Sequence, residues 1–215
     1  MVHKYLGRFK AAEQYYGLTL RHSHRVAGTE RHELLANIYH NLGGLEYARH
    51  QFSRAERYAR KSLRFRAKVA PANGIALAAD RVALAAILDG LGKFDESRKL
   101  YRQSLVAYRR AYGKSHREIA LVLNNLAALY HKTGQYVRAE THYRAALTMK
   151  RRELGKSHPD LAITMNNLAI LLASVGNAKL ARRFFQNAMK IFAMSLGNAH
   201  AHTLAVKKNL RRMQT

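Results

Sequence analysis

Gly113, Lys114, Ser115 and His116 spell Gly-Lys-Ser-His, and Gly155, Lys156, Ser157 and His158 spell it again 42 positions later. Gly-Lys-Ser ends the loop with which many nucleotide-binding proteins wrap phosphates, the lysine reaching the outer phosphates and the hydroxyl a magnesium ion. That loop needs another glycine five residues ahead, on a strand-to-helix turn. Those positions hold Tyr108 and Lys150, in segments with helical periodicity. The phosphate reading therefore fails on its own geometry. Ser115 and Ser157 also lie three residues before Glu118 and Asp160, which is capping-box spacing, and Pro159 suits the first turn of a helix. The expectation is a helix start that recurs, with the serines as caps.

The histidines are the next group able to do chemistry. His32, His116, His158 and His200 share one phase of the 42-residue period, with Gly74 at the remaining place. Equivalent positions on packed helices lie about 8–10 Å apart, too far for ligands of one metal at roughly 2 Å each. A hydrogen-bonding role in the connectors is expected instead. The pairs His22/His24 and His200/His202 lack further ligands, and no paired carboxylates or nucleophile constellation occurs. We assign no catalytic residue, no metal and no cofactor.

Elements that would carry these residues emerge from the repetition. Residues 112–153 laid over 154–195 without gaps give 13 identities, including Asn124/Asn166, Asn125/Asn167, Ala127/Ala169, Gly134/Gly176, Ala139/Ala181 and Ala146/Ala188. Small residues recur one period earlier, at Ala85, Ser97 and Ser104, and two periods earlier, at Gly43, Ala55 and Ser62. Leu123, Leu126 and Tyr130 follow helical spacing, as do Ala139, Tyr143 and Ala146 beyond the Gly134 break. Each unit thus reads as two helices reversing at a glycine, with small residues letting the axes approach. One such hairpin cannot bury its own apolar face, so neighbours must stack. Residues 28–69, 70–111, 112–153 and 154–195 form four full repeats. Residues 1–27, with Gly7 and Ala12 in place, are a half repeat equivalent to a second helix, and 196–215 a half repeat equivalent to a first. Half repeats at both ends suggest a piece of a longer solenoid, or a chain that associates end to end.

Charge is the unusual global feature: 38 Lys and Arg against 13 acids give +25. That exceeds what solubility of a small domain requires, a magnitude of roughly 2–8. It favours an acidic partner, whether nucleic acid, anionic lipid or an acidic protein surface. With no cysteine, no apolar run long enough for a membrane span and no signal-peptide pattern, a cytoplasmic location is expected.

The pattern of Ala127, Tyr130, Ala139, Tyr143 and Ala146, with the "LNNLA" core and the "LGKSHPD" connector, resembles the tetratricopeptide repeat. Its 42-residue version is found in kinesin light chains and many bacterial proteins. The resemblance implies an all-α, right-handed solenoid of stacked helix-turn-helix hairpins. The first full repeat departs most, with His50 for the glycine, Glu46 for one aromatic and Ala59 for the other.

The resemblance also implies that the first helix of each repeat lines a concave groove. Carried onto this chain, the groove holds His40 and Asn41, Asn124 and Asn125, His131 and Lys132, Asn166 and Asn167, and Lys208 and Asn209. Tyr47 would add an aromatic surface and Asp89 a lone acid. Each asparagine amide offers two donors and an acceptor, suited to gripping an extended peptide backbone. A protein or peptide partner of acidic character is the expectation. The second helices carry most of the positive charge: Arg54, Arg57, Arg60, Lys61, Arg64 and Arg66; Arg98, Lys99 and Arg102; Lys150, Arg151 and Arg152; and Arg182 and Arg183. If that surface is the working one, the alternative partner is RNA or a ribonucleoprotein, marked by steep salt dependence.

Overall fold

Among the described residues, seven left-handed backbone positions are glycines, and one, His50 with φ 59°, is not. Three of those glycines and His50 mark where hairpins reverse, and the chain between them is helical. The computed structural model describes residues 9–69, 71 and 74–213. Gly7, the rest of residues 1–8, the side chain of Ala12, and residues 214–215 lie outside the described residues, so both expected half repeats are only partly described.

Among the described residues there are ten α-helices and no strand. These are α1 (Phe9–His22), α2 (Gly28–Ala48), α3 (Phe52–Arg66), α4 (Ile75–Gly90), α5 (Phe94–Tyr112), α6 (Arg117–Lys132), α7 (Tyr136–Leu154), α8 (Pro159–Ser174), α9 (Ala178–Leu196) and α10 (Ala201–Arg212). A short 3-10 turn, Ser23–Arg25, follows α1. The all-α expectation holds. The chain divides into two compact units, Met1–Ala111 and Tyr112–Thr215.

In the first unit α2 packs against α3, α3 against α4, and α1 against α2. In the second, α6 pairs with α7, α8 with α9, and α7 and α9 pack onto the following helices, α8 and α10. The small residues are the reason the helices can close. Ala55, Ala85, Ala127, Ala139, Ala146, Ala169, Ala181 and Ala188 are all fully buried. Where serine replaces alanine its hydroxyl donates across the interface: Ser62 Oγ to Ala36 O at 2.9 Å, Ser97 Oγ to Ala85 O at 2.8 Å and Ser104 Oγ to Ala78 O at 3.0 Å. A Cβ on Gly43 would stand 3.3 Å from the backbone nitrogen of Ala59, so α2 and α3 approach through a position without a side chain.

The reversals share one geometry. Gln135 N–H donates to Tyr130 O at 2.8 Å around Gly134, and Asn177 N–H to Leu172 O at 2.8 Å around Gly176. Gln51 N–H donates to Glu46 O at 2.9 Å around His50. Each satisfies a carbonyl that the helix end would leave unpaired.

Candidate functional site

The connectors behave as helix starts, but through a different residue from the one expected. His116, His158 and His200 are the residues before α6, α8 and α10. Their Nδ1 atoms accept from Glu118 N at 3.3 Å, Asp160 N at 3.1 Å and His202 N at 3.2 Å. The cap is histidine, not serine. Helices start one residue after each histidine, which leaves Ser115 and Ser157 too early to reach the first free N–H groups. Ser115 Oγ instead donates to Glu153 at 3.1 Å. His32 does not share the role. α2 begins at Gly28, a turn ahead of it, and the His32 ring stacks on Phe65 with centroids 5.9 Å apart.

In the second unit the expected groove residues gather on the first helices. His131 Nε2 on α6 lies 3.1 Å from Ser174 Oγ on α8, and Asn209 Nδ2 on α10 donates to Asn166 Oδ1 on α8 at 3.3 Å. Within helices, Asn124 Nδ2 donates to Asn125 Oδ1 at 3.4 Å, and Asn166 Nδ2 to Asn167 Oδ1 at 3.5 Å. These are long bonds, beyond the usual 2.9–3.0 Å. Asn125, Asn166, Asn167 and Asn209 are half-buried, and Lys132 and Lys208 exposed. Burial holds His131 below the ordinary histidine value. Asn124 is 6% exposed and its Oδ1 accepts no hydrogen bond, so it belongs to the wall beneath this face.

In the first unit Asn41 is half-buried, while His40 has been recruited into a buried ionic cluster that the repeat pattern did not announce. Its Nδ1 lies 2.6 Å from Asp80 Oδ1. Arg66 Nε donates to the other oxygen of Asp80 at 2.9 Å, and Arg66 Nη2 donates to Asn37 Oδ1. Asp80 is 2% exposed. Burial would raise its carboxyl, but the hydrogen bonds and charges of His40 and Arg66 outweigh it and hold Asp80 below the usual range. A second cluster surrounds Glu46, 1% exposed, which Arg49 Nη1 reaches at 3.0 Å and Arg54 Nε at 3.3 Å, both arginines also meeting Glu13. The acids at 46 and 80 were the available signal: each breaks an apolar position of the repeat.

Beside the Asp80 cluster lies a cavity of about 220 Å³, its walls including His40, Gly44, Tyr47, Val82, Ala83 and Ala86. Burial, and then the Asp89 carboxylate, hold the Tyr47 phenol above its ordinary value.

The basic surface divides into three kinds of residue. Lys150 is not on it: the side chain is 5% exposed and its Nζ donates to Asp160 O at 3.1 Å, because this place in the repeat faces the next hairpin. Burial holds Lys150 below the ordinary lysine value, against the opposing pull of Asp160. Arg66, equivalent by the period, is buried for the same reason. Arg54, Arg60 and Arg98 are ion-paired, Arg60 with both Glu56 and Glu96 at 2.8 Å and Arg98 with Asp95. Arg57, Lys61, Arg64, Lys99, Arg102, Arg151, Arg152, Arg182 and Arg183 are exposed or nearly so, Arg182 Nη2 donating to Met213 O at 3.1 Å. No helix among the described residues is long and apolar enough to cross a membrane.

Paired helices, small residues at the crossings and left-handed reversals define a helical-hairpin repeat protein. A tetratricopeptide-repeat family model matches residues 1–68, 76–152 and 118–194, and the chain belongs to that family. No curated protein sequence matches it. Among solved structures it is similar to BtubC (BKLC) from P. vanneervenii, with TM-score 0.71 and 19% identity, covering 96% of this chain and 89% of that one. A putative kinesin light chain of Podosopora anserina, with nearly identical TPR-like repeats, gives TM-score 0.68 at 19% identity, over 83% of this chain and 86% of that one. The apo form of RapI gives 0.74 at 16%, over 98% and 78%. These likenesses carry the fold, and the family carries the general role of a protein-interaction scaffold.

Proposed function

We propose that the chain is a non-catalytic scaffold of four full repeats between two half repeats, holding an extended acidic peptide against its first helices. The observation that supports this most is the run of amides in the second unit. Asn125, Asn167 and Asn209 occupy one repeat position on α6, α8 and α10, and the bonds of this run are 3.3–3.5 Å long. Each amide can make up to four bonds, so most of the capacity is unspent and can turn to peptide N–H and C=O groups. Asn41 offers the same group in the first unit. His131, Lys132 and Lys208 supply donors for acidic side chains, and bonds to charged groups are the stronger kind.

Fluorescence anisotropy with a labelled acidic peptide tests this. The double variant Asn125→Ala/Asn167→Ala should lose most of the affinity while melting like the parent. Unchanged affinity would remove the reading.

A second reading has its own observation. Residues 161–213 carry eight Lys and Arg and no acid, so Lys179, Arg182, Arg183, Lys190, Lys207 and Lys208 have no carboxylate in that stretch to compensate them. Such a field suits the phosphates of RNA. Tight RNA binding that falls steeply with salt and ignores the asparagine variant would favour it.

A further inference from the structure

At the C-terminal end of α7 the second unit holds a pocket of about 290 Å³ that none of the amide run lines. Its floor is apolar. Leu161 and Met165, one turn apart on α8, are 1% and 5% exposed, and half-buried Ile191 on α9 completes it. Its rim is cationic, with Arg151 from α7, Lys156 from the connector and Lys190 from α9 all exposed. Asn187, three residues before Lys190 and so on the same face of α9, adds an amide.

The local sequence fixes where these charges stand. Gly155, with φ 83°, ends α7, its N–H donating to Arg151 O at 3.2 Å, and His158 caps α8 by accepting from Asp160 N. Lys156 is thus in a short connector tied down at both ends. One period earlier Arg109 and Lys114 recur, but Thr148 stands for Lys190 and Ala145 for Asn187. One period later Ala193 and Asn198 replace Arg151 and Lys156. The set of three cations belongs to this hairpin. Among the described residues their side chains have no hydrogen-bond or ion-pair partner. The acids between 112 and 215 are engaged elsewhere. Glu140 holds Arg144, Glu153 takes the Ser115 hydroxyl, and Glu118 and Asp160 line a separate pocket with Arg117 and Lys150.

Uncompensated cations over an apolar floor fit one chemistry. A phosphate monoester carries close to two negative charges at neutral pH. A guanidinium meets its oxygens with two parallel bonds, and ammonium groups add point charge. The Asn187 amide can donate to a remaining oxygen. An apolar cavity of roughly 150 Å³ is enough to take benzene. The larger volume here has room for a ring on the floor with its phosphate at the rim.

We propose that this pocket is a binding site for a phosphate monoester carried on a small ring. It rests on neither the amide run nor RNA binding.

The test uses the full chain, 13C-labelled at methionine, leucine and isoleucine methyls, titrated with phenyl phosphate. Saturable shifts are expected at Leu161, Met165 and Ile191, with none at Ile119 or Ile170. Phenol and inorganic phosphate each carry half of the chemistry and should bind about tenfold more weakly or worse. Benzoate, with a single charge, should also bind more weakly. Arg151→Gln/Lys190→Gln, both at exposed positions, should lower the affinity about tenfold or more while melting like the parent, and Lys156→Gln weakens it independently. Arg138→Gln/Arg144→Gln removes the same charge from α7 outside the pocket and should change the affinity by less than about twofold, since salt screens distant exposed charges. Absence of saturable shifts, benzoate binding as tightly as phenyl phosphate, or equal losses in the two double variants would overturn the site. A flexible peptide bearing one phosphotyrosine separates the two sources of this chemistry. Binding at least as tight as that of phenyl phosphate supports the site with a phosphorylated side chain as its ligand, and weaker binding supports it with a free ester.

Discussion

Arg66 in the first unit and Lys150 in the second stand two repeat periods apart, at the same place in the hairpin, and both are buried cations. They meet different answers. Arg66 finds Asp80 on the next first helix, with Asn37 and His40 completing the set. Lys150 finds only the main-chain carbonyl of Asp160, to which Thr164 also donates at 3.3 Å, Thr164 holding the position that Asp80 holds in the first unit. One period further on the same two positions are Phe192 and Val206, both buried and apolar. The repeat therefore demands a filled, mutually satisfied junction and not a particular chemistry. Ion pair, cation to carbonyl, and apolar pair are three solutions to one packing problem.

Breaking the first solution should cost most. Asp80→Ala leaves Arg66 buried without its carboxylate, which typically costs about 3–5 kcal/mol. Urea unfolding should show the loss in the first unit. Arg66→Phe together with Asp80→Val copies the chemistry of the last junction and should recover most of it, since replacing a buried pair by apolar residues is often neutral or better. A double variant as unstable as Asp80→Ala alone would mean the ion pair itself, and not a satisfied junction, is what the site requires.

The two junctions should also separate on the pH axis. Asp80 titrates below its ordinary value in the folded chain. Its contribution is present above the unfolded-state pKa and is lost as pH falls through the folded one. Lys150 lies below the ordinary 10.5. The folded state sheds that proton before the unfolded chain does, so stability rises with pH between the depressed value and 10.5. Urea midpoints across pH should show an acid limb flattened by Asp80→Asn and an alkaline rise flattened by Lys150→Met. Exchange of those two effects would sink the assignment.

The fold was the legible part because it is written in residues that repeat: small ones at crossings, glycines at reversals, asparagines on first helices. Each hairpin repeats the signal, so one departure does not erase it. The caps were half legible. The recurring heptapeptide marked a helix start, but serine and histidine stood side by side, and the exact first helical residue decides which one reaches the free N–H. The clusters around Asp80 and Glu46 were legible only as acids at apolar positions: apart from Arg49, three residues after Glu46, their basic partners come from other helices and pair only after packing. Lys150 misled for a related reason. In a run of Lys-Arg-Arg only the helical phase distinguishes the buried residue from the exposed ones.

Caps provide the next, smaller contrast. His158→Ala removes an acceptor for the Asp160 N–H and should destabilise the second unit by about 1 kcal/mol, the usual cost of losing a helix cap. Ser157→Ala should be near neutral. In the first unit His32→Ala should resemble loss of a partly buried ring, with no change in the start of α2, which amide exchange at its first turn can report. A larger effect from Ser157 than from His158 would restore the serine cap.

The smallest stability effect separates the two units by surface charge. In the first, Arg60 and Lys93 share Glu56, and Arg60 also holds Glu96. Burial would raise Glu56, but its hydrogen bonds to Lys93 and Arg60 prevail and keep it below its ordinary value. Exposed pairs of this kind contribute about 0.2–1 kcal/mol, so Glu96→Gln should barely move the urea midpoint. Its electrostatic consequence is more informative, because it frees cationic charge in the unit where acids now balance much of it. If RNA recognises uncompensated cations, Glu96→Gln should tighten poly(U) binding slightly. Arg182→Gln/Arg183→Gln in the acid-free stretch should weaken it and lower the salt slope by about 0.7 for each phosphate no longer neutralised. Equal weakening from Arg182/Arg183 and from the paired Arg60 would mean that compensation does not govern binding, and the acid-free stretch would lose its claim to the phosphates.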